Sequence, residues 1–113
     1  MKVTIYHNPR CSKSRQALDI IISRGIEPEI VEYLKTPLSA TEIRRLLKQL
    51  HVGPREILRA KEAGEFGLAD PALSDEALIA GLSRHPQVLE RPIVVAGNKA
   101  VLGRPPEAVL SIL

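Results

Sequence analysis

A short apolar run, an Asn-Pro-Arg-Cys turn and a helix-like segment follow one another without a spacer over the first two dozen residues, and that junction restricts the fold most. Met1 to Tyr6 is a strand candidate, with Val3, Ile5 and Tyr6 suited to burial in a sheet. Asn8-Pro9 forces an extended or turn backbone. From about Ser12 to Arg24, Ala17, Leu18, Ile21 and Ile22 recur at helical spacing, and Gly25 is a natural stop. Glu29 to Tyr33, with Ile30 and Val31 apolar, reads as a second strand and closes a βαβ unit. Cys11, the only cysteine, falls at the strand-to-helix turn. Backbone N–H groups are unpaired there and the helix dipole is positive, so a thiolate is favoured over a thiol. The same donors can hold an oxyanion against the sulfur, and Arg10, Lys13 and Arg15 add positive charge. An activated cysteine facing a bound anion is the first functional expectation.

The remaining chain supplies helices and then a hairpin. Ser39 with Glu42 forms a capping box ahead of the amphipathic stripe Ile43, Leu46, Leu47 and Leu50. Gly53-Pro54 starts a short helical run through Ile57 and Leu58, with Arg59 near its end. Lys61 to Asp70 is polar and contains glycine, so it is expected to be an exposed loop. A further helix spans about Ser74 to His85 and is stopped by Pro86. Arg91-Pro92 introduces Ile93-Val94-Val95, and Gly97-Asn98 is a two-residue hairpin signal joining it to Ala100-Val101-Leu102. Gly103-Arg104-Pro105-Pro106 leads into a terminal helix through Val109, Leu110 and Ile112. The order β-α-β, three helices, β-β-α is an α/β, thioredoxin-like (glutaredoxin-type) layout with an inserted helical segment. It predicts one domain, 1–113, around a mixed sheet of about four strands. Arg91-Pro92, just ahead of a central strand, is a candidate for a cis bond.

Composition narrows the chemistry. A chain of 113 residues supports one modest core, and with two Tyr, one Phe and no Trp that core must be aliphatic. The net charge of +3, without a basic run interleaved with aromatics, fits a local anion site better than nucleic acid. A single cysteine excludes an intramolecular disulfide. With no signal peptide or long apolar segment, the expected location is the cytoplasm, with no membrane partner. Phosphatase-type chemistry needs an Arg six positions after the cysteine, where Ala17 stands; a dithiol motif needs a second Cys at Ser14. Monothiol chemistry with an external reductant survives.

The other site candidates each have a plainer reading. His7 either ends a strand or supports the thiolate through a hydrogen bond or positive charge. His7 and Cys11 match no compact zinc-ligand spacing with His51 and His85, so no metal is expected. Arg59, Arg91 and Arg104 taken singly are surface charges, yet Arg91 and Arg104 each precede Pro at the ends of the predicted hairpin, which would direct both to one rim. A guanidinium suits an oxyanion because its planar fork donates two parallel hydrogen bonds. Arg10 and Lys13 fit anion steering. Ser12 and Ser14 read as helix caps and are candidate substrate contacts as well.

Ile5 to Arg15 (I-Y-H-N-P-R-C-S-K-S-R) resembles the opening of the glutaredoxin-coupled arsenate reductase family, the ArsC family. Further matches are E-Y-L-K-T-P (Glu32 to Pro37), I-L-R (Ile57 to Arg59), R-P-I-V-V (Arg91 to Val95) and G-R-P-P-E (Gly103 to Glu107). They span the chain and are most similar to the short members that stop soon after the last helix. The resemblance implies that Cys11 is the nucleophile, His7 its supporting imidazole, and Arg59, Arg91 and Arg104 a triad gripping arsenate and its covalent product. It also implies no bound cofactor, glutathione as co-substrate, glutaredoxin as partner and arsenite as product. R-P-I-V-V is shared more loosely with Spx-type transcription regulators, so a redox-responsive protein binding RNA polymerase is an alternative. Those proteins carry a Cys-x-x-Cys switch, which Ser14 removes here. A glutathione-dependent reductase of another substrate is the third alternative.

Overall fold

Alternating apolar positions build the central strand of the sheet: in β1 (Val3–His7), Val3 and Ile5 face one side and Thr4 and Tyr6 the other. The computed structural model describes residues 2–113, so Met1, included in the expected first strand, lies outside the described residues. Two compact units divide the chain. The first joins residues up to Thr36 to Arg91–Leu113, and the second, Pro37–Glu90, is the expected helical insertion.

In the first unit, α1 (Ser12–Ser23) follows β1 and ends at Gly25, whose φ of +75° supplies the left-handed turn that glycine adopts without a steric penalty. The chain then returns as β2 (Glu29–Glu32), parallel to β1 in the register Ile5↔Ile30 and His7↔Glu32. The second half contributes β3 (Ile93–Ala96), antiparallel to β1, and β4 (Lys99–Leu102), antiparallel to β3. Gly97, at φ +62°, turns the hairpin between them. The strand order β2-β1-β3-β4 is the expected mixed, four-stranded, thioredoxin-like sheet. A 3₁₀ turn at Pro106–Ser111 forms the terminal helix and packs against α1. Between the sheet and these helices lies an aliphatic cluster of Val3, Ile5, Ala17, Ile21, Val94, Ala96 and Val109. Arg91-Pro92 is cis, and so is Arg104-Pro105.

In the second unit, α2 (Ala40–Leu50) starts with the expected capping box: Ser39 Oγ accepts the Glu42 N–H at 3.1 Å, and Glu42 Oε1 accepts the Ser39 N–H at 3.0 Å. Its stripe buries Ile43, Leu46 and Leu47. A 3₁₀ turn, Pro54–Ile57, follows. The expected exposed loop at Lys61 to Asp70 is a loop only in its second half. Its first half belongs to α3 (Ala60–Glu65), and Ala63 and Leu68 are both buried. Ala60, Lys61, Glu62 and Ala63 are good helix formers, and packing of Ala63 and Leu68 outweighs the polarity around them. The next helix, α4 (Asp75–Arg84), is capped by Ser74, whose Oγ accepts the Ala77 N–H at 3.1 Å. Pro86 ends it and opens another 3₁₀ turn, Pro86–Val88. Among the described residues no helix is long and apolar enough to cross a membrane.

Gly103 allows the backbone after β4 to lie against the Pro92 ring: an added Cβ would stand 2.8 Å from Pro92 Cγ and 3.4 Å from Val109 Cγ1. The rigid ring cannot swing aside, so Gly103→Ala should cost about 1–3 kcal/mol in urea unfolding. Gly53 has ordinary extended backbone and open space around it, so Gly53→Ala should be neutral or stabilising by up to about 1 kcal/mol. Equal unfolding midpoints for the two variants would contradict this packing.

Candidate active site

The turn between β1 and α1 is held by its own polar groups. Asn8 is buried; its carbonyl accepts the Cys11 N–H at 3.0 Å and its Oδ1 accepts the Arg10 N–H at 3.0 Å. The Asn8 N–H donates in turn to Ser14 Oγ at 3.1 Å. From outside, Arg15 Nη1 donates to the Pro9 carbonyl at 3.0 Å. Held this way, Cys11 is the N-cap residue of α1, with extended backbone (φ −92°, ψ 122°) and a partly exposed side chain. The thiol stands at the helix mouth, reachable from solvent.

Opposing forces act on its charge. Burial of the sulfur pushes the pKa up, but the Ser14 N–H, the Arg91 guanidinium and the Lys13 N–H together outweigh burial. The thiol is therefore held below the ordinary cysteine value. The sulfur makes no cap hydrogen bond of full geometry. The N–H groups of the first turn still favour its anion, as the positive end of a helix does.

Ser14 does not cap the helix. Its buried hydroxyl lies 2.6 Å from His7 Nδ1 while accepting the Asn8 N–H. Ser12, at the first helical position, is exposed. His7 is itself buried, and burial lowers its pKa; Glu32 opposes the effect and Arg15 adds to it. Burial thus favours the neutral imidazole over the charged one. The ring reaches the sulfur through Ser14, whose hydroxyl it holds and whose N–H faces Cys11.

Arg91 and Arg104 belong to the first unit and Arg59 to the second. The Arg91 guanidinium, just ahead of β3, acts on the Cys11 sulfur and favours its anion. Arg104, beyond β4, donates from Nη1 to the Arg91 carbonyl at 3.2 Å and keeps an exposed side chain. The hairpin ends thus bring these two together, as expected. Arg59 belongs to the second unit, where Nε meets Glu62 Oε2 and Nη1 meets Glu90 Oε1, both at 3.1 Å. Its fork is already engaged by two carboxylates. His51 and His85 also lie in the second unit: His51 ends α2 in a left-handed conformation (φ 59°), and His85 stacks on Phe66 with centroids 4.6 Å apart. Among the described residues, no group of three or more His, Cys, Asp or Glu gathers where it could hold a metal ion. Sequence reasoning missed Asn8 as the hub of the turn and Glu32 as the charge beside His7. The Asn-Pro pair hinted at the first, whereas the second needed the register His7↔Glu32.

Comparison with known proteins agrees with this architecture. The model of the ArsC family matches residues 6–112. The Escherichia coli protein YfgD is 53% identical over 99% of this chain and 97% of its own length. An arsenate reductase from Neisseria meningitidis is 43% identical over 99% of this chain and 98% of its own length. A solved structure of an arsenate reductase from Vibrio cholerae superposes with a TM-score of 0.96 at 47% identity, covering all of this chain and 98% of that one.

Two outcomes test the electrostatics. Arg91→Met should slow alkylation of Cys11 by iodoacetamide near neutral pH, and raising the pH should restore the native rate, because only the thiolate fraction has changed. An unchanged rate profile would remove Arg91 from the sulfur's environment. For His7 the folded pKa lies below the unfolded one, so the unfolded chain binds the proton first. Stability should therefore fall as pH drops through the unfolded value of about 6.5 and level off below the folded one. His7→Gln should flatten that part of the urea-unfolding pH profile; an undiminished slope would contradict it.

Proposed function

The chain belongs to the ArsC family, and from that premise we propose that it is an arsenate reductase in which the Cys11 thiolate attacks arsenic directly. The observation that carries this reading is a solitary thiol at a helix N-terminus whose negative charge is favoured by the Ser14 N–H, the Arg91 guanidinium and the Lys13 N–H. The same donors suit a tetrahedral oxyanion. Two relatives named arsenate reductase, from Neisseria meningitidis and Vibrio cholerae, align over nearly all of the chain.

In the proposed reaction the Cys11 sulfur forms a bond to arsenic and one arsenate oxygen leaves as water, its protons drawn from solvent. Arsenic is then still As(V). A glutathione thiolate attacks this adduct. The two sulfurs give up two electrons, As(V) becomes As(III), and arsenite departs from a mixed disulfide of Cys11 and glutathione. Glutaredoxin takes the glutathionyl group and returns Cys11 as a thiolate. The external thiol is a chemical necessity for this reading, because the chain has no second cysteine. Arg91 and Arg104 stabilise the oxyanion and adduct through their planar donors, and Ser12 offers an exposed hydroxyl at the same mouth. His7 and Ser14 hold the first turn of α1 in place. No bound cofactor takes part, and the glutathione pool places the reaction in the cytoplasm.

The test follows NADPH oxidation with glutathione, glutaredoxin, glutathione reductase and arsenate. Native protein should give an arsenate-dependent rate and Cys11→Ser should reduce it to background. Arg91→Lys keeps the charge but loses the fork, and should lower kcat/KM by about tenfold or more. A native protein without arsenate-dependent oxidation would reject the proposal.

A further inference from the structure

Every second residue of β1 faces α1: Val3 and Ile5 fill the aliphatic cluster beneath that helix, and His7 continues the same face. The parallel register sets Ile30 beside Ile5 and Glu32 beside His7, on strands about 4.8 Å apart. A carboxylate from β2, an imidazole from β1 and a hydroxyl from α1 therefore stand in one row. Along this face Ile5 and Ile30 are apolar, so Glu32 is the residue that packing does not account for. Its backbone is fixed, because its carbonyl accepts the N–H groups of Lys35 at 2.9 Å and Thr36 at 3.0 Å. The imidazole meets the hydroxyl directly, with His7 Nδ1 2.6 Å from Ser14 Oγ. Glu32 acts on the ring as a charge at short range. The two residues line one cleft, and the ion pair of Glu32 is with Lys35, at 3.5 Å.

The hydrogen bonds of Ser14 decide where the ring proton sits. Ser14 Oγ accepts the Asn8 N–H at 3.1 Å, which leaves its own proton for His7 Nδ1. Nδ1 is then an acceptor, and a neutral ring carries its proton on Nε2. With the proton on Nδ1 instead, Oγ would face two donors and its hydroxyl proton would have to turn elsewhere. From this row we infer that Glu32 is a positioning residue of the reaction proposed above: its carboxylate holds the His7 proton on Nε2, so that the Ser14 hydroxyl donates to Nδ1. Ser14 seated in this way presents its N–H to the Cys11 sulfur. The inference deepens the proposed reaction and rests on it for the effect on turnover. The other charges around His7 are cations: Arg10 and Lys35 in the shared cleft and Arg15 on α1. On the β3 side its neighbour is Pro92, since Tyr6 pairs with Ile93, and Arg91 beyond it acts on the sulfur. Of these groups only Glu32 is acidic, and it opposes the burial and the Arg15 charge that lower the imidazole's pKa.

The His7 ring nitrogens report on this directly. In protein carrying ¹⁵N-labelled histidine, native His7 above its midpoint should show Nε2 protonated and Nδ1 bare. Glu32→Gln keeps the shape and removes the charge, so the His7 midpoint should move to lower pH and the Nδ1-protonated tautomer should appear. Lys35→Met removes the cation that partly neutralises Glu32, and should move the midpoint the other way. A role confined to packing would not displace the two variants in opposite directions. In turnover, Glu32→Gln should lower kcat several-fold with little change in KM for arsenate, because no oxyanion contact is lost. The same midpoint and tautomer in native protein and Glu32→Gln would overturn the inference, as would displacement of both variants in one direction. If His7 responds as described while native protein reduces no arsenate, the proposed reaction fails and the hold of Glu32 on His7 stands. If arsenate is reduced and Glu32→Gln turns it over at the native rate, the part assigned to Glu32 alone fails.

Discussion

Negative charge on one sulfur is the constraint to which this structure answers. Burial alone would keep Cys11 protonated, so ionisation depends on donors fixed close to it, and each comes from a different level of the fold. The Ser14 and Lys13 N–H groups exist as free donors only because α1 begins there. The Arg91 guanidinium arrives from eighty residues later because β3 lies antiparallel beside β1, with Arg91 just ahead of it. Disturbing either the helix start or the strand pairing removes a donor and returns the thiol toward its ordinary state.

Around that sulfur the polar groups form a hierarchy. Asn8 fixes the turn, Ser14 ties the turn to the first helical coil, and a buried His7 holds the Ser14 hydroxyl. None of the three needs to touch a substrate to matter: together they fix where the Ser14 N–H points. Arg104, anchored on the Arg91 carbonyl, extends the cationic rim toward solvent. A chain with one thiol cannot close an intramolecular disulfide.

Much of this was legible before any coordinates. The βαβ opening, the Ser39–Glu42 capping box and the Gly97-Asn98 hairpin each show a clear period or a turn residue with one strong meaning, and all appear as expected. The Arg91 and Arg104 pairing also followed from position, since each precedes a Pro at one end of the hairpin. α3 did not, because six residues rich in charge and containing glycine carry too few apolar positions to show a period, although Ala63 is buried. Ser14 was misread as a cap for a different reason. A serine in the first turn of a helix usually serves that helix, and nothing local reveals that the strand end bearing His7 folds back within 2.6 Å of it. The carboxylates on Arg59 show the same limit: Glu62 lies one turn away, but Glu90 meets it only in the folded second unit.

The most direct test is a pH titration of the Cys11 thiol itself, followed by the ¹³Cβ chemical shift in protein labelled at its single cysteine. The midpoint should fall below that of an ordinary cysteine, leaving the sulfur as thiolate to a lower pH than in the unfolded chain. A midpoint at or above the ordinary value would mean that burial prevails over the surrounding donors, and neither the activated nucleophile nor the chemistry assigned to it would stand.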